Sequence, residues 1–335
     1  MKLHKKLFML RKLITDLKQG SIPFKPNEDN KSEKLGYYYF RFEEDFKHLN
    51  RLITNLDQDG IPLNTTYIDI ATKKLHYYPI SIGQFGLALF HSYLNTNSAD
   101  KLAHFLRIAD WFVKNAQHDN RLGAYWLTDV PKPEYRIKKP WKSAFAQSRA
   151  ISILLRVWQL TGNPQYLSIA SEALIPFKYD ITEGGVAANL NIGKPFYEEY
   201  VASEPTMVLD GHIFTLFGLY DFIRSVSPEI DANASALARE IFQKGLDSLL
   251  IWLPEFDLEF WVRFNLCQME HYPKIDPCTI GYLRLISAQL KVLYRLTGHN
   301  QLLSYSEKFE KYDRLSNILR MYLIKYKALK EMNRI

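Results

Sequence analysis

The stretch Phe196-Tyr197-Glu198-Glu199-Tyr200 sets two carboxylates beside two phenols. That combination supplies proton acceptors and donors together, as removal of a proton from a carbon next to a carboxylate requires. The same pattern also fits a solvated acidic turn with one buried ring. In Phe260-Trp261-Val262-Arg263-Phe264-Asn265-Leu266, a segment of strand composition, Arg263 is either a planar clamp for an anionic sugar or a solvent-facing residue on an edge strand. Tyr282 follows Pro273 and Pro277 at a predicted helix start, where its ring either points into a central cleft or packs. His76, His212 and His271 lack metal-ligand spacing, and the chain has no HExxH, GxSxG or glycine-rich phosphate loop. The sequence therefore predicts neither a metal site nor a cofactor, and zinc peptidase, nucleotide-binding and α/β-hydrolase readings lack support.

These residues need a scaffold, and composition bounds it. The chain has 335 residues, of which 47% are hydrophobic and 24% charged, as in ordinary globular proteins and unlike disordered, collagenous or coiled-coil chains. No run approaches the roughly 20 apolar residues of a membrane span. Met1 to Gln19 interleaves lysine and arginine with apolar positions, so it reads as neither a span nor a signal peptide, and a cytoplasmic location is expected. Aromatic residues make up 14%, including 21 Tyr and 20 Phe, which suits either an aromatic core or a wet cleft for polyhydroxylated ligands. A net charge of +7 favours polyanionic partners. No nucleic-acid-binding signature accompanies the basic groups at Lys2 to Lys18, Lys132 to Lys142 and Lys325 to Arg334, so nucleic acid is not the expected partner. Two cysteines, Cys267 and Cys278, exclude a disulfide framework or a four-cysteine zinc site and point to a reducing compartment.

The predicted organisation is a basic N-terminal helix or tail with a linker over 1–34, a small β-rich element over 35–78, a helical catalytic domain over 79–312 and a basic C-terminal helix over 313–335. Within the β-element, Tyr37 to Phe42 has strand composition, and Asp57-Gln58-Asp59-Gly60-Ile61-Pro62 signals a turn leading to a hairpin through Thr65 to Tyr78. After Pro79 the apolar spacing is helical. It predicts four pairs: Ile80 to Leu94 with Ala99 to Asn115, Ser143 to Leu160 with Pro164 to Phe177, Met207 to Val226 with Ala232 to Trp252, and Thr279 to Leu296 with Asn300 to Tyr312. Leu154 to Asn163 and Leu290 to His299 repeat one another, each ending a helix at glycine just before the next begins. Paired helices of this kind build either an open solenoid or an α/α toroid around a cleft. The connections Gln117 to Lys142 and Tyr179 to Glu204 exceed what a helix turn needs and are where a site would be built.

Five blocks in order resemble the C-terminal catalytic region of the D-glucuronyl C5-epimerase family, enzymes that convert glucuronate to iduronate within heparan-type chains. They are Asp59 to Leu63, Tyr77 to Leu87, Trp141 to Gln147 followed by Ala150-Ile151-Ser152, Glu198-Glu199-Tyr200 running into Val208 to Gly211 and Leu216 to Asp221, and Tyr282 with Gln289-Leu290. The resemblance implies an α/α-toroid catalytic domain preceded by a β-rich portion, and metal-independent proton exchange at C5 of a uronate in an acidic, heparosan-like polysaccharide. It implies that Glu199 and Tyr200 are the acidic and phenolic residues of the family's EEY motif and that Tyr282 is its downstream catalytic tyrosine. Tyr78, Gln84, Trp141 and Gln147 match blocks that line the substrate cleft, and Arg263 is assigned to the substrate carboxylate. A homodimer is a further possibility that the family raises.

The sequence departs from the family pattern at three places. Phe264-Asn265-Leu266 stands where Tyr-Asp-Leu is common, Leu283 and Ile286 replace two histidines, and Asp210 replaces an asparagine. Fewer polar groups then converge on the substrate, which leaves open another uronate polymer or a reduced activity. A polysaccharide lyase would use the same C5 abstraction followed by β-elimination. A non-catalytic protein that binds acidic polysaccharide is the alternative of a different class. A glycoside hydrolase fits less well, because it needs two separated carboxylates flanking one bond.

Overall fold

Prolines and glycines mark the helix boundaries. The computed structural model describes residues 10–11, 13–14, 25–28, 31–45, 52–66, 70, 74–190 and 194–334, so most of the predicted N-terminal basic helix and linker lies outside the described residues. Helices α1 (Pro79–Thr96) and α4 (Pro164–Glu172) open on proline, whose fixed φ suits a first turn and whose missing amide would be unpaired there in any case. Helix α3 (Ala144–Thr161) begins where the Ser143 hydroxyl accepts from the Ala146 amide at 3.1 Å. It stops at Gly162 with φ 70°, and α7 (Ile280–Thr297) stops in the same way at Gly298 with φ 77°. In each, the glycine amide donates to the carbonyl four residues back, Trp158 at 2.8 Å and Tyr294 at 2.7 Å. The Thr161 and Thr297 hydroxyls bond the Val157 and Leu293 carbonyls at 2.8 Å, so the repeated sequence folds into a repeated helix stop.

The remaining helices are α2 (Ala99–Asn115), α5 (Leu209–Ser225), α6 (Pro228–Trp252), α8 (Asn300–Glu310) and α9 (Leu315–Glu331). Each of α1, α3, α5 and α7 pairs with the helix that follows it, and α1 packs on α3, α3 on α5, and α5 on α7. This succession explains the residue content of each helix. In α3 every residue from Ala144 to Val157 is buried, and in α5 every residue from Leu209 to Leu219, because both helices have neighbours on all sides. Helices α2 and α8 bury only one stripe. Within α6, Asp231 leaves the helical region (φ −153°, ψ 96°) and its carboxylate accepts from the Ala234 amide at 2.9 Å, which caps the long segment predicted to begin at Ala232. The basic C-terminal segment is helical as α9.

Small antiparallel sheets fill the connections. Strands β1 (Ile53–Leu56), β2 (Pro62–Thr65) and β3 (Leu75–Tyr77) form one sheet in that order, with the predicted turn between β1 and β2. The Asp57 carboxylate accepts from the Asp59 and Ile61 amides there, and Gly60 takes φ 81°. The long connections carry β4 (Gln117–Asp119) with β5 (Gly123–Tyr125), and β6 (Ala187–Asn189) with β7 (Pro195–Tyr197). Two expected strands are absent. Tyr37 to Phe42 makes a single bridge, Pro26 with Phe40, because its rings insert between helices instead of lining a ladder: Tyr39 stacks on Phe217 at 4.6 Å and its hydroxyl donates to Asp221 at 3.0 Å. Residues 260–266 form only isolated bridges, Val262 with Asp257, Arg263 with Pro277 and Asn265 with Val208, since their partners come from three separate loops.

Helix α3 is approached closely from both sides. A Cβ placed on Gly83 of α1 would lie 2.6 Å from the Arg149 Cβ, and one on Gly218 of α5 would lie 2.5 Å from the Ser148 Cβ and 2.6 Å from its carbonyl oxygen. Backbone cannot yield as a flexible side chain can. Gly218→Ala is therefore expected to destabilise the chain by about 1–3 kcal/mol as an overpacked site, read as a lowered midpoint in denaturant unfolding with unchanged slope.

Candidate active site

The acidic motif sits at the junction of α3 and α5, and its first residue fastens the loop. The Glu198 carbonyl accepts from the Ala144 amide at 2.8 Å, satisfying a first-turn donor of α3, and the Glu198 amide donates to Val186 at 2.9 Å. Its carboxylate accepts from the Thr206 amide at 2.9 Å, the Thr206 hydroxyl at 2.5 Å and the Met207 amide at 3.0 Å. Met207 takes φ 49°, an unfavourable value for a residue with a side chain, and this carboxylate holds it there. Burial pushes the Glu198 carboxyl up to about 7 in spite of the three donors. Glu198 is thus a structural clamp.

Glu199 is the second acid of the motif. It packs against Gly211, where a Cβ would lie 2.5 Å from its Oε2, so only glycine admits the carboxylate to this end of α5. Burial raises its pKa, while hydrogen bonding with Tyr200 and the charge of Lys132 act in the opposite direction. Asp210 lies beside it, buried, and is pushed well above the usual range by burial and then by the Glu199 charge. Its Oδ1 has no hydrogen-bond partner among the described residues. Two buried carboxyls so placed hold a proton to higher pH than either would alone.

Aromatic rings form one wall. Tyr78, immediately before α1, meets Trp141 edge-on at 6.0 Å, and Trp141 lies 5.1 Å from Tyr200. Tyr200 stacks on Tyr135 at 5.3 Å, and Tyr135 stacks on Tyr272 at 5.5 Å. The Lys132 ammonium lies 4.1 Å from the Tyr200 ring centre and 3.3 Å from Glu134, itself 3.5 Å from Arg334. Asn265 braces the far end of the wall by donating to the hydroxyls of Tyr135 and Tyr272, both at 2.8 Å. Tyr272 donates in turn to Asp276 at 2.9 Å, and Asp276 meets Lys325 of α9 at 2.6 Å.

Helix α7 supplies the other side. Its Gln289 donates to the Asp210 carbonyl at 3.1 Å. Tyr282 stands seven residues earlier, on the same face and about 10 Å along the axis, toward the helix start. It is 38% exposed and meets Phe264 edge-on at 5.4 Å, and the Phe264 carbonyl accepts from the Leu209 amide at 3.4 Å beside Asp210. Glu199 is therefore deep and Tyr282 lies at the rim.

The structure brings Tyr78, Trp141, Glu199 and Tyr200 together. It places Gln147 elsewhere: that side chain is fully buried, donates to the Ala124 and Ala173 carbonyls at 2.9 and 3.0 Å and accepts from the Trp126 amide at 3.3 Å, so its amide braces the fold. Gln84 is half-buried in the second turn of α1. Arg263 donates to the Lys274 carbonyl, and Lys132 is the cation set against Tyr200 and Glu199. Lys132 and Asp210 were not singled out from the sequence as site residues. Lys132 opens a basic cluster whose charge alone the sequence shows, and its burial separates it from Arg136, Lys138 and Lys139, which are exposed. Among the described residues no three His, Cys, Asp or Glu side chains are grouped to hold a metal ion.

Residues 122–311, more than half of the chain, match the family described as D-glucuronyl C5-epimerase C-terminus. The chain belongs to this family. It is 34% identical over 163 residues to the D-glucuronyl C5-epimerase of Caenorhabditis elegans, a match covering 46% of this chain and 26% of that protein, so it spans about a quarter of the nematode enzyme's length. An uncharacterized protein of Methanocaldococcus jannaschii is 28% identical over 263 residues, covering 73% of this chain and 81% of that one. Among solved structures, a family 76 glycoside hydrolase from a bovine Bacteroides thetaiotaomicron strain aligns with a TM-score of 0.38 and 12% identity, covering 68% of this chain and 45% of the other. Lys132, Trp141, Glu199, Tyr200, Asp210 and Tyr282 all fall within the epimerase match, whereas Tyr78 and Gln84 precede it. No described helix is long and apolar enough to cross a membrane.

The buried acids carry a stability signature. Asp210 is raised above its ordinary 3.8, so its contribution to stability is fully present below that pH and is lost as the pH climbs toward the folded-state value. Asp210 and Glu198 are expected to contribute a fall in urea-unfolding stability from about pH 4 to pH 8, opposed below about pH 6.5 by the buried neutral His91 and His212. Asp210→Asn, which removes the titration, should flatten that fall and be the more stable protein at the alkaline end.

Proposed function

We propose that the chain is a uronate C5-epimerase that converts D-glucuronate to L-iduronate residues within a glucuronate-containing, heparosan-like polysaccharide. One observation carries this reading: a buried carboxyl pair, Glu199 with Asp210, flanked by Tyr200 and the buried Lys132, with Tyr282 on a helix that packs against α5. In this reading the helix pairs form the family's α/α toroid, with α1, α3, α5 and α7 as inner helices.

The C5 proton of a uronate is weakly acidic, and its loss leaves an electron pair that spreads into the C6 carboxylate. A base must therefore be strong for a carboxylate, and a cation must meet the growing charge. Burial beside Asp210 makes Glu199 more basic than a solvated glutamate, which brings it toward the working pH of a general base. Lys132 faces the enediolate charge, and Tyr200 donates a hydrogen bond to it. Tyr282 returns a proton to C5 from the opposite face, inverting the centre. After one turnover Glu199 has gained a proton and Tyr282 has lost one. The reverse turnover, in which the Tyr282 phenolate removes the C5 proton of iduronate and protonated Glu199 returns one, resets both groups, and the partial exposure of Tyr282 lets its proton exchange with solvent. Phe264 beside Tyr282 contributes a ring and no hydroxyl, so fewer polar groups fix the sugar at the rim.

Incubation with heparosan or its N-sulfated form in deuterated water tests this assignment. Deuterium at C5 with new iduronate signals in the NMR spectrum is expected, together with losses of about 100-fold or more for Glu199→Gln and for Tyr282→Phe. Lys132→Met is expected to lower turnover more than apparent substrate affinity, since its partner charge develops in the transition state. An ultraviolet-absorbing unsaturated product would instead identify a lyase. Binding without exchange, unaltered by Glu199→Gln, would identify a non-catalytic binder.

A further inference from the structure

Helix α3 carries three polar side chains at the spacing of one face, Arg149, Ser152 and Arg156, and all are fully buried. The Arg149 guanidinium is enclosed by rings: its carbon lies 4.5 Å from the centre of Phe214, 4.7 Å from Phe145, 4.8 Å from Tyr38 and 5.5 Å from Phe42. Ring faces attract a cation but bring no negative charge. Arginine cannot shed its proton inside a protein, so the charge persists.

Asp221 is the buried acid of this region, and it is already engaged. Arg156 Nη1 meets its Oδ2 at 2.7 Å, while Arg224 Nη2 at 2.9 Å and the Tyr39 hydroxyl at 3.0 Å meet its Oδ1. His91 adds no negative charge, since burial and then Arg156 push its pKa down to about 3 and keep the ring neutral. Arg149 thus remains without an anionic partner among the described residues. Its Nε, Nη1 and Nη2 meet no acceptor at full hydrogen-bond geometry there, and neither does Arg156 Nη2, while the Tyr38 hydroxyl interacts with Arg149 and the Ser152 hydroxyl with Asp221. The guanidinium nitrogens are donors only, and the Tyr38 hydroxyl can turn its proton outward as a further donor. A buried cation surrounded by unsatisfied donors is the chemical complement of a small anion.

We propose that Arg149, with Arg156 Nη2 and the Tyr38 hydroxyl, forms an enclosed site for a small inorganic monovalent anion of the size of chloride. The site lies one helical turn beyond the start of α3 and is sealed by the aromatic segment 38–42. It is separate from the Glu199 pair, so it stands whatever reaction the chain performs.

Thermal unfolding of the full chain, with chloride replacing gluconate at constant ionic strength, tests the site. A ligand that binds only the folded state raises Tm in proportion to the logarithm of its concentration above Kd, so a rise of a few °C across about 1 to 100 mM chloride is expected. Arg149→Met should abolish that rise. A flat Tm in the wild type, or the same rise in Arg149→Met, overturns the proposal. If Arg149→Met does not fold, crystals of the native chain soaked in bromide decide it. An anomalous peak within hydrogen-bonding distance of the Arg149 guanidinium supports the site, and water or no peak at that position overturns it.

Discussion

Everything in the candidate site depends on how Glu198 is held. A carboxylate removed from water is costly unless it is heavily hydrogen-bonded. Here it takes two amides and a hydroxyl from Thr206 and Met207, while its own carbonyl completes the first turn of α3. These bonds close the 198–207 loop upon itself and fix the start of α5 relative to the start of α3. Glu199 has no choice of direction once its neighbour is clamped. It must lie over Gly211 and beside Asp210, and the raised proton affinity of both acids follows from that enforced burial.

The aromatic wall is a second consequence of the same placement. Tyr200 enters between Trp141 and Tyr135, both from the connection after β5, so two long loops are joined by ring packing. Asn265 closes the wall by donating to two phenols at once, which leaves the Tyr272 hydroxyl proton for Asp276. The departure from the family pattern at 265 thus has a structural role here. Through Tyr272, Asp276 and Lys325 the wall is fastened to α9, and Arg334 reaches Glu134 beside Lys132. The basic C-terminal segment is therefore part of the support of the site as well as a source of net charge.

Charge in the core is arranged around α3 with the same economy of partners. Asp221 serves Arg156, Arg224 and Tyr39, and the rings around Arg149 supply attraction without neutralising it. The close approaches of Gly83 and Gly218 leave little room for rearrangement about this helix. Helix α3 is thus the rigid element against which both the acidic loop and the aromatic segment 38–42 are set.

Helix positions were legible in the sequence because apolar spacing, proline starts and glycine stops are local signals. Ala99–Asn115 was read to the residue, and Gly162 and Gly298 end their helices as their repeated sequences require. The acidic motif and Tyr282 stand out in the sequence through residue types and order along the chain. Local composition misled where backbone pairing depends on distant partners. Tyr37 to Phe42 and residues 260–266 have strand residues but no neighbouring strand to complete a ladder. It also could not tell Glu198 from Glu199, since the difference lies in Thr206 and Met207 folding back upon one of them. Lys132 and Asp210 became site residues only in three dimensions. By itself, then, the sequence determined the helices and the residue types that a site could use, because both are written in near-neighbour patterns. Tertiary structure alone decided which acid is buried beside which cation, because desolvation and Coulomb attraction act through space between residues far apart in the chain.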